Sequence, residues 1–196
     1  HPLPLSAFKE YPMEIAEVAS MSMELFTMNH WQAFFDNVHD LNRAQEHQLE
    51  RTITIFPWIA IIDKFQHWVY ENPNHSIEER TQAWTTIAKE FSTNSIDYSG
   101  LDQYRAIGWQ RQLHLFEVPF YYIEYGIAQL GAIGMWMQYQ KNPTLALENY
   151  MNALSLGGTK TLPELYQTAG ISFDFSSNYV KTLMDFTRDE LEKLYQ

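Results

Sequence analysis

Two carboxylates, and a histidine followed by three tyrosines, are the side chains with the most scope for chemistry in this sequence. Glu17 and Glu24 stand seven residues apart, two helical turns, between Pro12 and Met28, where the only other charged residue is Glu14. Neither has a Lys or Arg three or four positions away, so a helix here offers them no local cation. A carboxylate buried without a partner is costly. It is protonated, paired with a distant Arg or His, or bound to a metal ion, and the spacing leaves all three open.

The second stretch reads His114-Leu-Phe-Glu-Val-Pro-Phe-Tyr121-Tyr122-Ile-Glu124-Tyr125-Gly. By residue type it is a loop entering an apolar helix, with tyrosines that serve equally as amphipathic core residues. A third stretch, from Leu154 to Phe173, carries Gly157-Gly158, Pro163 and Gly170. Its glycine pair suits a turn between helices, a hinge, or backbone N–H groups offered to a peptide. His39 and His47 lie among Asp36, Asp40, Arg43, Glu46 and Glu50 on a charged, solvated face, and His30, His67 and His75 have no partner pattern. Asp36-Asn-Val-His39 is the nearest approach to the Glu-x-x-His pattern that a di-metal bundle requires on two helices, so that class is disfavoured.

The elements that must position these groups are helical, because apolar residues recur at helical spacing nearly throughout. The spacing predicts helices over about Met13–Phe35, with burial on nearly every side expected between Pro12 and Met28, and over Val38–Tyr70 with a break or kink at Pro57. Ser76 with Glu79 forms a capping box for a helix to about Phe91. Further helices are expected near Leu101–Gly108, Pro119–Gln140 and Thr144–Leu156. A short one from Thr161 to Ala169 and a terminal one opened by Ser176 or Ser177 complete the set. The expectation is one all-α domain over residues 1–196.

Composition narrows the function classes. A net charge of −11, from 24 acidic and 13 basic residues, disfavours nucleic-acid binding. With no cysteine, any metal must be held by His, Asp or Glu, and a reducing, cytoplasmic setting is preferred. Val118–Met137 is about long enough to span a bilayer, yet it holds Pro119, three tyrosines, Glu124 and Gln129, so no membrane partner is expected.

The segment PMEIAEVASMSMELF at residues 12–26 resembles oligoendopeptidase F and, more distantly, thimet oligopeptidase. The His114–Tyr125 and Leu154–Phe173 stretches resemble the same family in the same order. The resemblance implies the all-α, multi-helix C-terminal part of a thimet oligopeptidase-like (zincin) catalytic domain. Within Glu17-Val-Ala-Ser20-Met-Ser-Met-Glu24 it implies that Glu17 is the third ligand of a Zn2+ ion and that Glu24 orients a zinc-binding imidazole. His114, Tyr121, Tyr122 and Tyr125 would then donate hydrogen bonds to the transition state, their order left open by a gap before Tyr121.

The implied activity is that of a zinc metalloendopeptidase acting on oligopeptides. No HExxH motif occurs in the sequence, so two ligands and the general base must lie in a missing N-terminal half. The chain alone is expected to be inactive and to expose an apolar face. A non-catalytic helical module that binds a peptide or partner is the alternative.

Overall fold

The computed structural model describes residues 3–93 and 95–195, and these fold as helices with no strand among them. They divide into two compact units: one holds the residues up to Ile53 together with those from Ile127 onward, and the other is Thr54–Gly126.

In the first unit, α1 (Met13–Thr27) buries Ile15, Val18, Ser22, Leu25 and Phe26, spaced three and four apart along one face. The other side is not covered by the described residues: Met13 and Met23 are 43% and 39% exposed, and Glu24 is exposed. Burial on nearly every side is therefore not found, because an apolar composition marks what a helix can bury without saying what covers it. The predicted continuation to Phe35 is instead a 3-10 segment, Met28–Ala33, which follows α1 directly.

The Phe26 ring stacks on Tyr139 at 4.5 Å, and Trp136 meets Phe186 edge-on at 4.9 Å. Full burial of each such side chain contributes roughly 1.5–3 kcal/mol. Tyr139 and Trp136 belong to α6 (Ile123–Lys141), which α7 (Pro143–Ser155), α8 (Leu162–Thr168) and α9 (Ser177–Lys193) follow. The Asn142 side chain caps α7, and Ser176 caps α9. At α8 the Glu164 carboxylate accepts from both the N–H and the hydroxyl of Thr161, which holds it below the usual carboxylate range.

Gly157 and Gly158 begin a 3-10 turn after α7. A Cβ at Gly157 would lie 2.1 Å from the Phe8 carbonyl oxygen, and one at Gly158 2.4 Å from that of Glu10. The pair is thus a seat for the backbone of residues 8–10.

α2 (Val38–Glu71) is one helix across Pro57, so of the break or kink expected there the break is not found. Proline lacks the N–H that the Ile53 carbonyl would receive in a regular helix. The boundary between the two units falls at that residue, between Ile53 and Thr54.

The second unit is built on an aromatic core. Ile61, Ile62 and Phe65 of α2 pack with Trp84 and Ile87 of α3 (Ile77–Glu90), flanked by Trp58, Trp68, Trp109 and Tyr122. α3 starts at the expected capping box: Glu79 N–H donates to Ser76 Oγ at 3.2 Å and Ser76 N–H to Glu79 Oε2 at 2.7 Å. The chain then forms α4 (Asp102–Ala106), a 3-10 turn Gly108–Arg111 and the short α5 (His114–Glu117). Trp84 donates its indole N–H to the Arg105 carbonyl at 2.7 Å, tying α4 to the core.

The predicted start of the next helix at Pro119 gives way to a turn, with α6 beginning at Ile123. Phe120 occupies the left-handed region at φ 60°, rare for a residue with a Cβ. Its N–H donates to the buried Gln66 side chain at 2.9 Å, and its ring lies against His67 and Tyr70 at 4.9 and 5.0 Å.

Two outcomes test these turns by chemical denaturation. Phe120→Ala and Phe120→Gly both lose the ring, but only glycine relieves the left-handed backbone, so the glycine variant should be the more stable by about 1 kcal/mol. Equal stabilities would contradict the turn. Gly157→Ala should cost about 1–3 kcal/mol more than Gly100→Ala. Gly100 shares a positive φ, at 77° against 55°, but has no neighbour within 4 Å of its added Cβ.

Candidate active site

In the second unit, the Phe120 turn brings together the four side chains singled out around His114. α5 presents the imidazole, the turn presents Tyr121 and Tyr122, and the first turn of α6 presents Tyr125. Ring centroids lie 5.9 Å from His114 for Tyr121, stacked, and 5.0 and 5.7 Å for Tyr122 and Tyr125, both edge-on. The Tyr125 hydroxyl is 3.4 Å from His114 Nε2. All four are half-buried.

Their surroundings separate the tyrosines. Tyr121 and Tyr125 line an open cleft of about 360 Å³ with His114, Leu113, Glu117 and Val118. Tyr122 packs on the core. Burial pushes its hydroxyl above the ordinary phenol range, and a hydrogen bond from Trp58 opposes that shift.

Two residues that the sequence reading passed over complete the arrangement. The Trp58 indole N–H donates to Gln112 Oε1 at 3.2 Å, and Gln112 Nε2 meets His114 Nδ1 at 2.7 Å. The Arg111 guanidinium covers the Trp58 ring at 5.4 Å. Gln112 is two residues from His114, but nothing in the sequence marks Trp58, 54 residues earlier, as its partner.

Glu17 and Glu24 belong to the first unit. Glu17 is half-buried on α1, with no hydrogen bond or ion pair to any described residue. Glu24 is exposed and accepts from Gln48 Nε2 at 3.0 Å. Its distant partner is therefore an amide rather than a cation. Among the described residues, no three His, Asp or Glu side chains come together to hold a metal. Glu17 is thus one free carboxylate, where a hydrolytic zinc takes three protein ligands.

Three other histidines have ordinary surroundings. His75 accepts from Arg80 Nε at 2.8 Å, His67 lies 3.6 Å from the Asp63 carboxylate, and His39 lies beside Asp40 on the surface. No helix of the described residues is long and apolar enough to cross a membrane.

Known proteins share this architecture. PZ peptidase A, solved with an inhibitor, superimposes with a TM-score of 0.89 at 32% identity, over 98% of this chain and 34% of that one. A protein described as an oligoendopeptidase F gives 0.85 at 31% identity, over 97% and 34%. Another so described, from Bacillus anthracis, gives 0.78 at 30%, over 98% and 31%. The chain therefore spans about a third of the length of these structures. No curated protein sequence matches it significantly. The sequence model of peptidase family M3 fits residues 4–185, from ahead of α1 into α9, and the chain belongs to that family.

Proposed function

We propose that this chain is the C-terminal part of a zinc metalloendopeptidase that cleaves internal bonds of oligopeptides. The observation that carries the reading is the His114 cluster: an imidazole and two tyrosine hydroxyls on one cleft, in a chain of a peptidase family.

Attack of water on a peptide carbonyl puts negative charge on its oxygen, and donors aimed at that oxygen lower the barrier most where water is excluded. His114, Tyr121 and Tyr125 are the donors of this kind. Tyr122 backs the cluster against the core, so that the imidazole keeps its place while charge develops.

Glu17 is the residue of this chain that would hold the metal, as an otherwise unpaired carboxylate on a helix with no cation of its own. A bound zinc supplies a Lewis acid and lowers the pKa of a coordinated water. The other two protein ligands and the general base would come from an HExxH helix in the rest of the protein. Glu24, one helical face along from Glu17, would orient one of those imidazoles.

In the full-length protein, Glu17→Gln should abolish zinc retention, read as metal per mole after dialysis; a normal metal content would remove Glu17 from the ligand set. His114→Ala should keep its zinc and lose about 10²–10³-fold in kcat, the usual effect of deleting one oxyanion donor. Loss of folding in that variant would mark His114 as a core residue instead.

A further inference from the structure

Gln112 faces two neighbours of fixed character. An indole N–H can only donate, so the Gln112 atom 3.2 Å from Trp58 Nε1 is its oxygen. That orientation turns the amide NH2 towards His114 Nδ1 at 2.7 Å. An NH2 group has no lone pair to offer, so Nδ1 must be the acceptor. A neutral imidazole that accepts at Nδ1 carries its proton on Nε2. Nε2 is the atom beside the Tyr125 hydroxyl, on the residue that lines the cleft.

We infer that Gln112, itself oriented by Trp58, is a positioning residue that fixes His114 in the Nε2–H tautomer, so that the imidazole enters the cleft as a hydrogen-bond donor. The inference rests on the proposed role of His114 as an oxyanion donor and supplies what that role lacks. An imidazole with its proton on Nδ1 would present a lone pair to the oxyanion and repel it. Without a partner at Nδ1, neutral imidazole distributes its proton between the two nitrogens. The amide removes that choice before substrate arrives, and Trp58, whose one N–H also faces the Tyr122 hydroxyl, in turn favours the orientation that keeps the amide oxygen on the indole side. The Arg111 guanidinium over the Trp58 ring and the packing of Trp58 against Trp84 at 6.0 Å hold the indole at the head of this chain of bonds.

Glu117, which shares the cleft, and Glu124 and Arg111, close to it in sequence, are the charged groups nearest this arrangement along the chain. None replaces the amide at Nδ1, which has Gln112 as its partner.

The tautomer can be read directly in the full-length protein carrying 15N-labelled histidine, at a pH of about 8.5 where imidazoles are neutral. His114 is assigned by the signals missing from His114→Gln. The expected pattern is a pyrrole-like Nε2 and a pyridine-like Nδ1. In Gln112→Glu a carboxylate faces Nδ1, can only accept, and should invert the pattern. That variant should lose about a hundredfold in kcat, with KM and zinc content close to those of the parent. Trp58→Phe, which frees the amide to rotate, should give a mixture of the two tautomers.

A pyrrole-like Nδ1 in the parent protein would overturn the assignment, and so would an unchanged pattern in Gln112→Glu. The two readings fail separately. The expected tautomer in a protein without peptidase activity leaves Gln112 in place and removes the peptidase. An active peptidase with the inverted tautomer does the reverse.

Discussion

An indole N–H buried without an acceptor costs free energy, and two indoles of the second unit avoid that cost by bonding to the chain that follows α3. Its core is rich in tryptophan because α2 and α3 meet through Trp58, Phe65 and Trp84. Two of these indoles find acceptors in the irregular segment after α3, while the buried Trp109 N–H has none among the described residues. Trp84 takes the Arg105 carbonyl, and Trp58 takes the Gln112 side chain. The segment from Leu101 to Glu117 has only short helical pieces, held by local turns. It is pinned at two points, Arg105 and Gln112, by donors of the core, and His114 lies two residues beyond the second pin.

The other end of the cluster depends on a strained turn. Tyr121, Tyr122 and Tyr125 are spaced to meet on a helix, since positions three and four apart are neighbours. A helix begun at Pro119 would have carried all three away from His114 along one rod. Phe120 in the left-handed region interrupts it instead, at a cost of about 1–2 kcal/mol, offset by the Gln66 acceptor and by contact with His67 and Tyr70. α6 therefore starts late enough for Tyr121 to stack on the imidazole from the turn while Tyr125 approaches from the helix. Strain of this kind clusters at functional sites, and here it joins two elements that must present groups to one cleft.

What the sequence made legible were features with a local cause. Ser76 with Glu79, Thr161 with Glu164, and Ser176 mark helix starts, because a cap is satisfied within three or four residues. The helical class followed from periodicity, and the grouping of His114 with its tyrosines from a motif of a dozen residues. What stayed hidden depends on distant or hard-to-signal causes. Which side of α1 is covered depends on elements far along the chain. The continuity of α2 through Pro57 depends on packing that outweighs one missing hydrogen bond. A left-handed Phe120 has no glycine to announce it, and the pairing of Trp58 with Gln112 has no signature at all, since each is an unremarkable residue until the other is beside it.

The two groups of site residues also differ in what they need from elsewhere. Glu17 is one carboxylate and would acquire the proposed role only with ligands from elsewhere. The His114 cluster is complete within Thr54–Gly126: the core supplies Trp58, the loop supplies Gln112, and the turn and α6 supply the tyrosines. Its donors are therefore oriented by packing and hydrogen bonds already present before any substrate or metal arrives. Electrostatic stabilisation is most effective under that condition, since dipoles already in place require no reorganisation as charge develops. A donor whose tautomer is set by an amide, and whose amide is set by a half-buried indole packed on an aromatic core, keeps its direction for the same reason that the core keeps its packing.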